Sequence, residues 1–170
     1  MDIEYRSFET KQELYAFICE QLKLMAEETA DITAILANAS ALFMLELQEV
    51  NWTGFYLYKN EKLILGPFQG KPAVAEIAIG SGVCGTAAET LKTQLVEDVH
   101  SCCNHIACDM ATSSEIVVPI LLSDGSLFGV IDIDSPILSR FDEEDQKGLE
   151  RAAEIFSAAV DQLKLNISEE

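Results

Sequence analysis

Two strand-like segments joined by the dipeptide Asp124-Gly125 constrain the fold of this chain more than any other feature. Residues 115–122 and 126–134 are both rich in β-branched residues. An Asp-Gly pair between two such runs predicts a β-hairpin with a two-residue turn. In that turn Ser123 faces Ser126, and each further step outward pairs one residue from either segment.

This register predicts an acidic face on the hairpin. Counting outward places Val117 opposite Asp132 and Glu115 opposite Asp134. Side chains alternate along a strand, so Glu115, Asp132 and Asp134 should emerge on one face. Like charges that lie opposite each other destabilise a sheet. Three carboxylates there require a shared proton, a bound cation or deep hydration. Ile131 occupies the opposite face, which favours a strand inside the sheet over a solvated strand end.

The remaining pattern predicts an α+β fold in one domain. Two helices open the chain and one closes it. Apolar residues recur at helical spacing from Leu14 to Met25, Asp31 is a good N-cap for a helix over Ile32–Leu47, and Asp142 can cap the last helix. The second helix is apolar nearly all round, which predicts burial or a partner interface.

Short strands fill the middle of the chain. We predict strands over residues 53–59, 62–65, 74–79 and 94–97, the first two joined by a turn at Asn60-Glu61, with a glycine-rich entry into a short helix after Gly80. These elements predict an antiparallel sheet with the terminal helices on one face. Loops and short helices between Gly66 and Ser114 would cover the other face and enclose a ligand pocket.

Composition excludes several classes of function. The chain has 170 residues and a net charge of −18. Such a balance argues against nucleic acid and anionic membranes as partners, because both select basic surfaces. No stretch approaches the roughly 20 apolar residues of a membrane span, and the first residues do not resemble a signal peptide. We therefore expect a cytoplasmic protein.

The cysteines indicate free or redox-active thiols. Their odd number and irregular spacing do not suggest a disulfide framework. They occupy positions 19, 84, 102, 103 and 108. Cys19 lies beside an apolar helical stripe and is expected in the core, whereas Cys84 and Cys108 lie beside loops, where either chemistry or simple packing is possible. No Cys-x-x-Cys pair is present, so the spacing predicts no metal site.

Other candidate residues adjoin these elements. Trp52 and Tyr56 alternate onto one face of the first strand, where aromatic rings can hold a cation or a sulfur-bearing methyl group, or can simply pack in the core. Gly54 between them indicates close approach by a ligand or another backbone. His100 and His105 could assist proton transfer, although loop histidines are more often solvated.

Several motifs in matching order resemble those of the free methionine-(R)-sulfoxide reductases, which are single GAF-domain enzymes. The matching segments are residues 51–56, 65–72, 82–87, 98–100, 105–109, 114–119 and 129–135. The resemblance implies one GAF domain over residues 1–170, with its core at about 10–166. It also implies reduction of free methionine-(R)-sulfoxide without a cofactor, with thioredoxin as the reductant. The apolar helix over Ile32–Leu47, rather than the resemblance, makes a homodimer the expected assembly.

The resemblance also assigns residues. It implies Cys108 as the nucleophile and Cys84 as the resolving thiol. The implied substrate pocket comprises Trp52, Tyr56, Glu115, Asp132 and Asp134. Val74 stands where many members have another cysteine, so Cys103 and then Cys102 are alternative resolving residues. The rival functions are a GAF-type sensor of a small ligand and a thiol redox sensor, both without turnover.

Overall fold

The structure, a computed structural model, describes residues 7–101 and 111–168 as four helices, six strands and a short 3-10 turn. The helices are α1 (Lys11–Glu28), α2 (Ile32–Glu46), α3 (Gly82–Thr90) and α4 (Glu143–Ser168). The strands are β1 (Trp52–Lys59), β2 (Lys62–Gln69), β3 (Glu76–Ala78), β4 (Gln94–Val96), β5 (Ser114–Leu121) and β6 (Leu127–Ser135). The 3-10 turn spans Val99–Ser101.

The strands form one antiparallel sheet in the order β3-β2-β1-β6-β5-β4. Helices α1, α2 and α4 pack on one face around a core that includes Phe55, Ile116 and Ile133. Helix α3 covers the other face, where a second apolar cluster includes Tyr56 and Val117. The predicted architecture is therefore confirmed, with β6 at the centre of the sheet between β1 and β5.

The predicted ends of several strands need correction. Strand β2 continues past Leu65 to Gln69, and β3 is shorter than the predicted 74–79. Strand β2 can continue through Pro67 because its pairing with β1 shifts by one residue between Gly54 and Tyr56. Such an irregularity tolerates a residue without an N–H donor.

Side-chain caps begin two of the helices as predicted. The Asp31 carboxylate accepts hydrogen bonds from the Thr33 and Ala34 amides at 2.8 and 3.2 Å. The Asp142 carboxylate accepts from the Glu144 and Asp145 amides at 2.9 and 3.1 Å. These bonds satisfy N–H groups that have no partner inside the helix.

Helix α2 is only half buried within a single chain. Its inner face packs against β1, β2 and α1, and residues such as Leu36 and Phe43 are fully buried. Its outer face carries exposed apolar residues, which include Ala37, Ala41 and Leu45. Of the two predictions for this helix, burial on all sides is therefore wrong, because its outer face is exposed.

The β5–β6 hairpin differs from the prediction at its turn. The Leu122 amide donates to the Ser126 carbonyl, and the Gly125 amide donates to the Leu122 carbonyl, which leaves a three-residue loop over Ser123–Gly125. Ser123 therefore does not face Ser126. Gly125 has a φ of +82°, the left-handed conformation that closes this type of loop.

A second irregularity restores the predicted register further along the hairpin. Leu121 pairs with Leu127, but Ile120 pairs with Gly129, so Phe128 is an extra residue on β6. Beyond this bulge Val117 pairs with Asp132, and Glu115 pairs with Asp134. The predicted pairing of the acidic residues is thus confirmed, although the turn that was expected to produce it is wrong.

None of the helices in the described part of the chain combines the length and the apolar character needed to cross a membrane.

Candidate active site

Three side chains form one row across the centre of the sheet. Asp134 on β6 pairs with Trp52 on β1 and with Glu115 on β5. Residues that pair across strands share a face of the sheet. Both carboxyl groups are buried, with only 5% of Glu115 and 2% of Asp134 exposed. The sheet therefore carries two acids and an indole side by side on the face away from α1 and α4.

Asp132 lies one step along the same face and is fully buried. It pairs with Gly54 on β1 and with Val117 on β5. Neither of its carboxylate oxygens has a hydrogen-bond partner of ordinary geometry within the described residues. A buried carboxylate without such bonds is costly in its charged form.

Aromatic rings form a wall beside these acids. The ring centroids of Trp52 and Tyr56 are 6.1 Å apart, and those of Trp52 and Phe68 are 5.3 Å apart, both in stacked orientations. The Trp52 indole donates to the Lys71 carbonyl at 3.1 Å, and the Tyr56 hydroxyl donates to the Val74 carbonyl at 3.0 Å. These two bonds attach the segment after β2 to the wall.

The glycine predicted to permit close approach does so for Phe68. A Cβ atom at Gly54 would lie 2.4 Å from the Phe68 Cβ and 2.8 Å from the Trp52 ring. Gly54 is therefore needed so that the stacked rings can lie flat against β1. Phe68 was not among the predicted site residues; its place within the motif segment 65–72 was the available indication.

Helix α3 brings Cys84 to the acids. The helix begins at Gly82, whose φ of +63° suits glycine, and Cys84 in its first turn is 4% exposed. The Cys84 Sγ and one carboxylate oxygen each from Glu115 and Asp132 all lie within 4.8 Å of one another. They line a cavity of about 10 Å³ together with Ile77, Ser81, Gly82 and Val83.

Burial strongly perturbs the two acids next to Cys84. The pKa of Asp132 is raised well above its ordinary value, first by loss of hydration and then by the charge of Glu115, while the Cys84 thiol facing it acts in the opposite direction. The pKa of Glu115 is raised well above its ordinary value by loss of hydration and then by the charge of Asp134, and Asp132 partly offsets this. Burial of this kind favours the protonated form of a carboxyl group, which can then donate its proton.

The other predicted site residues fall in three places. Cys102, Cys103, His105 and Cys108 lie outside the described residues. His100 lies exposed in the 3-10 turn, where its amide donates to the Asp98 carboxylate at 2.9 Å. Cys19 is buried in α1 on the other side of the sheet, as expected of a core residue.

Comparison with known proteins identifies the family to which this chain is similar. The model of the GAF domain matches residues 21–160. The free methionine-R-sulfoxide reductase of Escherichia coli (strain K12) is 49% identical over 140 residues, which cover 82% of this chain and 84% of that protein.

Two solved structures with bound substrate superpose on this chain. The free methionine-R-sulfoxide reductase from Neisseria meningitidis, in complex with its substrate, gives a TM-score of 0.90 at 37% identity and covers 98% of this chain and 99% of its own. The fRMsr of Staphylococcus aureus, also in complex with substrate, gives a TM-score of 0.80 at 48% identity and covers 85% of this chain and 94% of its own. This chain therefore belongs to the GAF family and, within it, to the free methionine-(R)-sulfoxide reductases.

Proposed function

We propose that this protein reduces free methionine-(R)-sulfoxide to methionine through cysteine chemistry, with a thioredoxin-type dithiol protein as the final reductant. The observation that carries the proposal is the group of three buried carboxyl groups beside a stacked aromatic wall and a buried thiol. Membership of the reductase family supports the substrate. Thioredoxin systems maintain the reducing cytoplasm, where we expect the protein to act.

The carboxyl groups are suited to two tasks. A protonated acid at Glu115 or Asp132 can donate its proton to the sulfoxide oxygen, because burial raises the pKa of both groups and so favours the protonated carboxyl group. The remaining negative charge, which we assign to Asp134, can pair with the α-ammonium group of the substrate. A methionine within a peptide lacks this ammonium group, which accounts for the preference for the free amino acid.

The thiols complete the reaction. The Cys108 thiolate attacks the sulfoxide sulfur, the oxygen takes a proton, and methionine leaves. The substrate sulfur gains two electrons, and Cys108 loses two and becomes a sulfenic acid. The Cys84 thiol then condenses with the sulfenic acid, which forms a disulfide and releases water, and an external dithiol exchanges that disulfide away. Cys103 and then Cys102 are the alternative resolving residues, since Val74 replaces a further cysteine of the family.

Replacement of the nucleophile tests the chemistry. Cys108→Ser is expected to abolish methionine release, while Cys19→Ser should leave it unchanged because Cys19 lies across the sheet. The assay mixes protein, a dithiol and each sulfoxide epimer and measures methionine by chromatography. The wild type should consume only the R epimer, and without the dithiol it should accumulate a Cys84–Cys108 disulfide detectable by mass spectrometry.

Turnover by Cys108→Ser would remove this residue as the nucleophile. A wild-type protein that retains the sulfoxide without releasing methionine would instead support the sensor function.

Replacement of Asp134 tests substrate recognition. Asp134→Asn keeps the shape of the side chain but removes its charge, so we expect kcat/KM to fall by roughly 10²–10⁴-fold through both a higher KM and a lower kcat. Asp31→Asn is the matched control, because asparagine is as good an N-cap as aspartate. Unchanged kinetics in Asp134→Asn, with a normal circular dichroism spectrum, would contradict the role of this carboxyl group.

The raised pKa of Glu115 predicts how stability changes with pH. Above about pH 4.3 the unfolded chain releases the proton of residue 115, whereas the folded chain retains it until the pH reaches the raised value. In that window the free energy of unfolding of the wild type should fall by about 1.4 kcal/mol per pH unit relative to Glu115→Gln. Urea unfolding between pH 4 and pH 8 measures this difference.

The exposed residue Glu154 supplies the control for that experiment. Glu154→Gln should follow the wild-type pH dependence. If Glu115→Gln does the same, its carboxyl group is not held neutral by burial.

We also infer a homodimer that uses the outer face of α2. This face is exposed in the single chain and is lined by Ala37, Ala41 and Leu45. Light scattering should return twice the 18.7 kDa mass of one chain, and Ala41→Arg should shift the protein to a monomer, whereas Glu20→Arg on the exposed side of α1 should not. A monomeric wild type would remove this part of the proposal.

A further inference from the structure

The trio of Cys84, Glu115 and Asp132 joins three separate elements at one point. The thiol comes from α3, one carboxyl group from β5 and the other from β6. Each residue is at most 5% exposed, and one ligand atom from each lies within 4.8 Å of the other two. A thiol and two carboxyl groups at this separation form a set of donors with affinity for metal ions.

The environment of Asp132 provides an independent indication of a ligand. Its two oxygens are buried without a hydrogen-bond partner of ordinary geometry among the described residues, although the Cys84 thiol and Glu115 face it, and the residue lines the small cavity that Cys84 and Glu115 share. A proton shared between Asp132 and Glu115 neutralises only one of the two carboxyl groups. A cation in the cavity would compensate all three groups at once.

We propose that Cys84, Glu115 and Asp132 form a binding site for a thiophilic divalent cation, for which Zn²⁺ is the appropriate probe. The ion binds to the reduced protein, takes the place of the protons on the thiol and on the carboxyl groups, and changes no oxidation state. Zinc bonds of about 2.3 Å to sulfur and about 2.1 Å to oxygen place tetrahedral ligands roughly 3.3–3.7 Å apart. Because the three atoms lie within 4.8 Å of one another, they can reach these separations by movements of at most about 1.5 Å.

The donors also determine which ion is preferred. A thiolate disfavours Mg²⁺ and Ca²⁺, which take oxygen ligands. Three anionic donors give a formal charge of −3, which a divalent ion reduces to −1. The protein supplies three ligands and leaves a fourth position for water, as in many zinc sites with three protein ligands.

One functional consequence rests on the proposed reductase activity. The ion occupies the resolving thiol and two of the carboxyl groups that the sulfoxide needs, so metal and substrate exclude each other. Zn²⁺ should therefore inhibit turnover competitively, and a chelator should restore it.

Metal binding is measured without turnover, so that the site can be tested apart from the reaction. Reduced, metal-free protein is titrated with Zn²⁺ by calorimetry and by competition with a chromophoric chelator. We expect one high-affinity ion per chain, proton release and a higher melting temperature. Cys84→Ser and Asp132→Asn should each weaken binding by at least about 10-fold, since loss of an outer-shell partner alone costs about 10–100-fold. Cys19→Ser should bind as the wild type does, and Mg²⁺ should not bind.

Co²⁺ provides a readout that does not depend on the stability of the Asp132 variant. The wild-type complex should show a thiolate-to-cobalt charge-transfer band, which Cys84→Ser should lose. Circular dichroism establishes that each variant is folded.

Unchanged Zn²⁺ affinity in Cys84→Ser would overturn the proposal, as would binding that disappears only when Cys102, Cys103 and Cys108 are all replaced by serine. If the protein binds Zn²⁺ at the trio but reduces no sulfoxide, the metal site stands and the proposed reductase function is refuted. A protein with reductase activity but no Zn²⁺ binding would refute the metal site alone.

Discussion

The structure depends on the burial of three carboxyl groups on the central strands of one sheet. Glu115, Asp132 and Asp134 lie on β5 and β6, which pair with each other and are flanked by β4 and β1. These groups have lost most of their hydration, so their charges must be compensated by protons or by ligands. The aromatic wall and the first turn of α3 pack beside these three acids.

The helix side of the sheet fixes where the acids point. Ile116, Ile131 and Ile133 alternate with the acidic residues along β5 and β6, and all three are fully buried in the core beneath α1, α2 and α4. A shift of one residue in the pairing would turn these isoleucines toward the pocket and the acids into the core. The bulge at Phe128 maintains this register after the three-residue loop, so the loop and the bulge compensate for each other.

Another buried carboxylate in the same chain shows what full compensation looks like. Asp145 at the start of α4 is fully buried. It accepts a hydrogen bond from the Tyr15 hydroxyl at 2.8 Å and forms ion pairs with Lys11 and Arg140. Asp132 is equally buried but lacks hydrogen bonds of this kind. A buried carboxyl group without such bonds lowers the stability of the fold, and groups of this kind are typical of binding or catalytic sites.

The sequence alone determined the local features of the protein. Alternation along residues 115–134 determined which acids share a face, Asp31 and Asp142 determined two helix starts, and the ordered motifs determined the family. Each of these depends on residues close together in the chain, or on pairing that the hydrophobic pattern specifies. Only the tertiary structure decided that Cys84 reaches Glu115 and Asp132, that Phe68 stacks on Trp52, and that a set of donors exists which cysteine spacing did not predict. These contacts join elements far apart in the sequence, and they form because α3 and β2 pack against the sheet at positions that no local periodicity specifies.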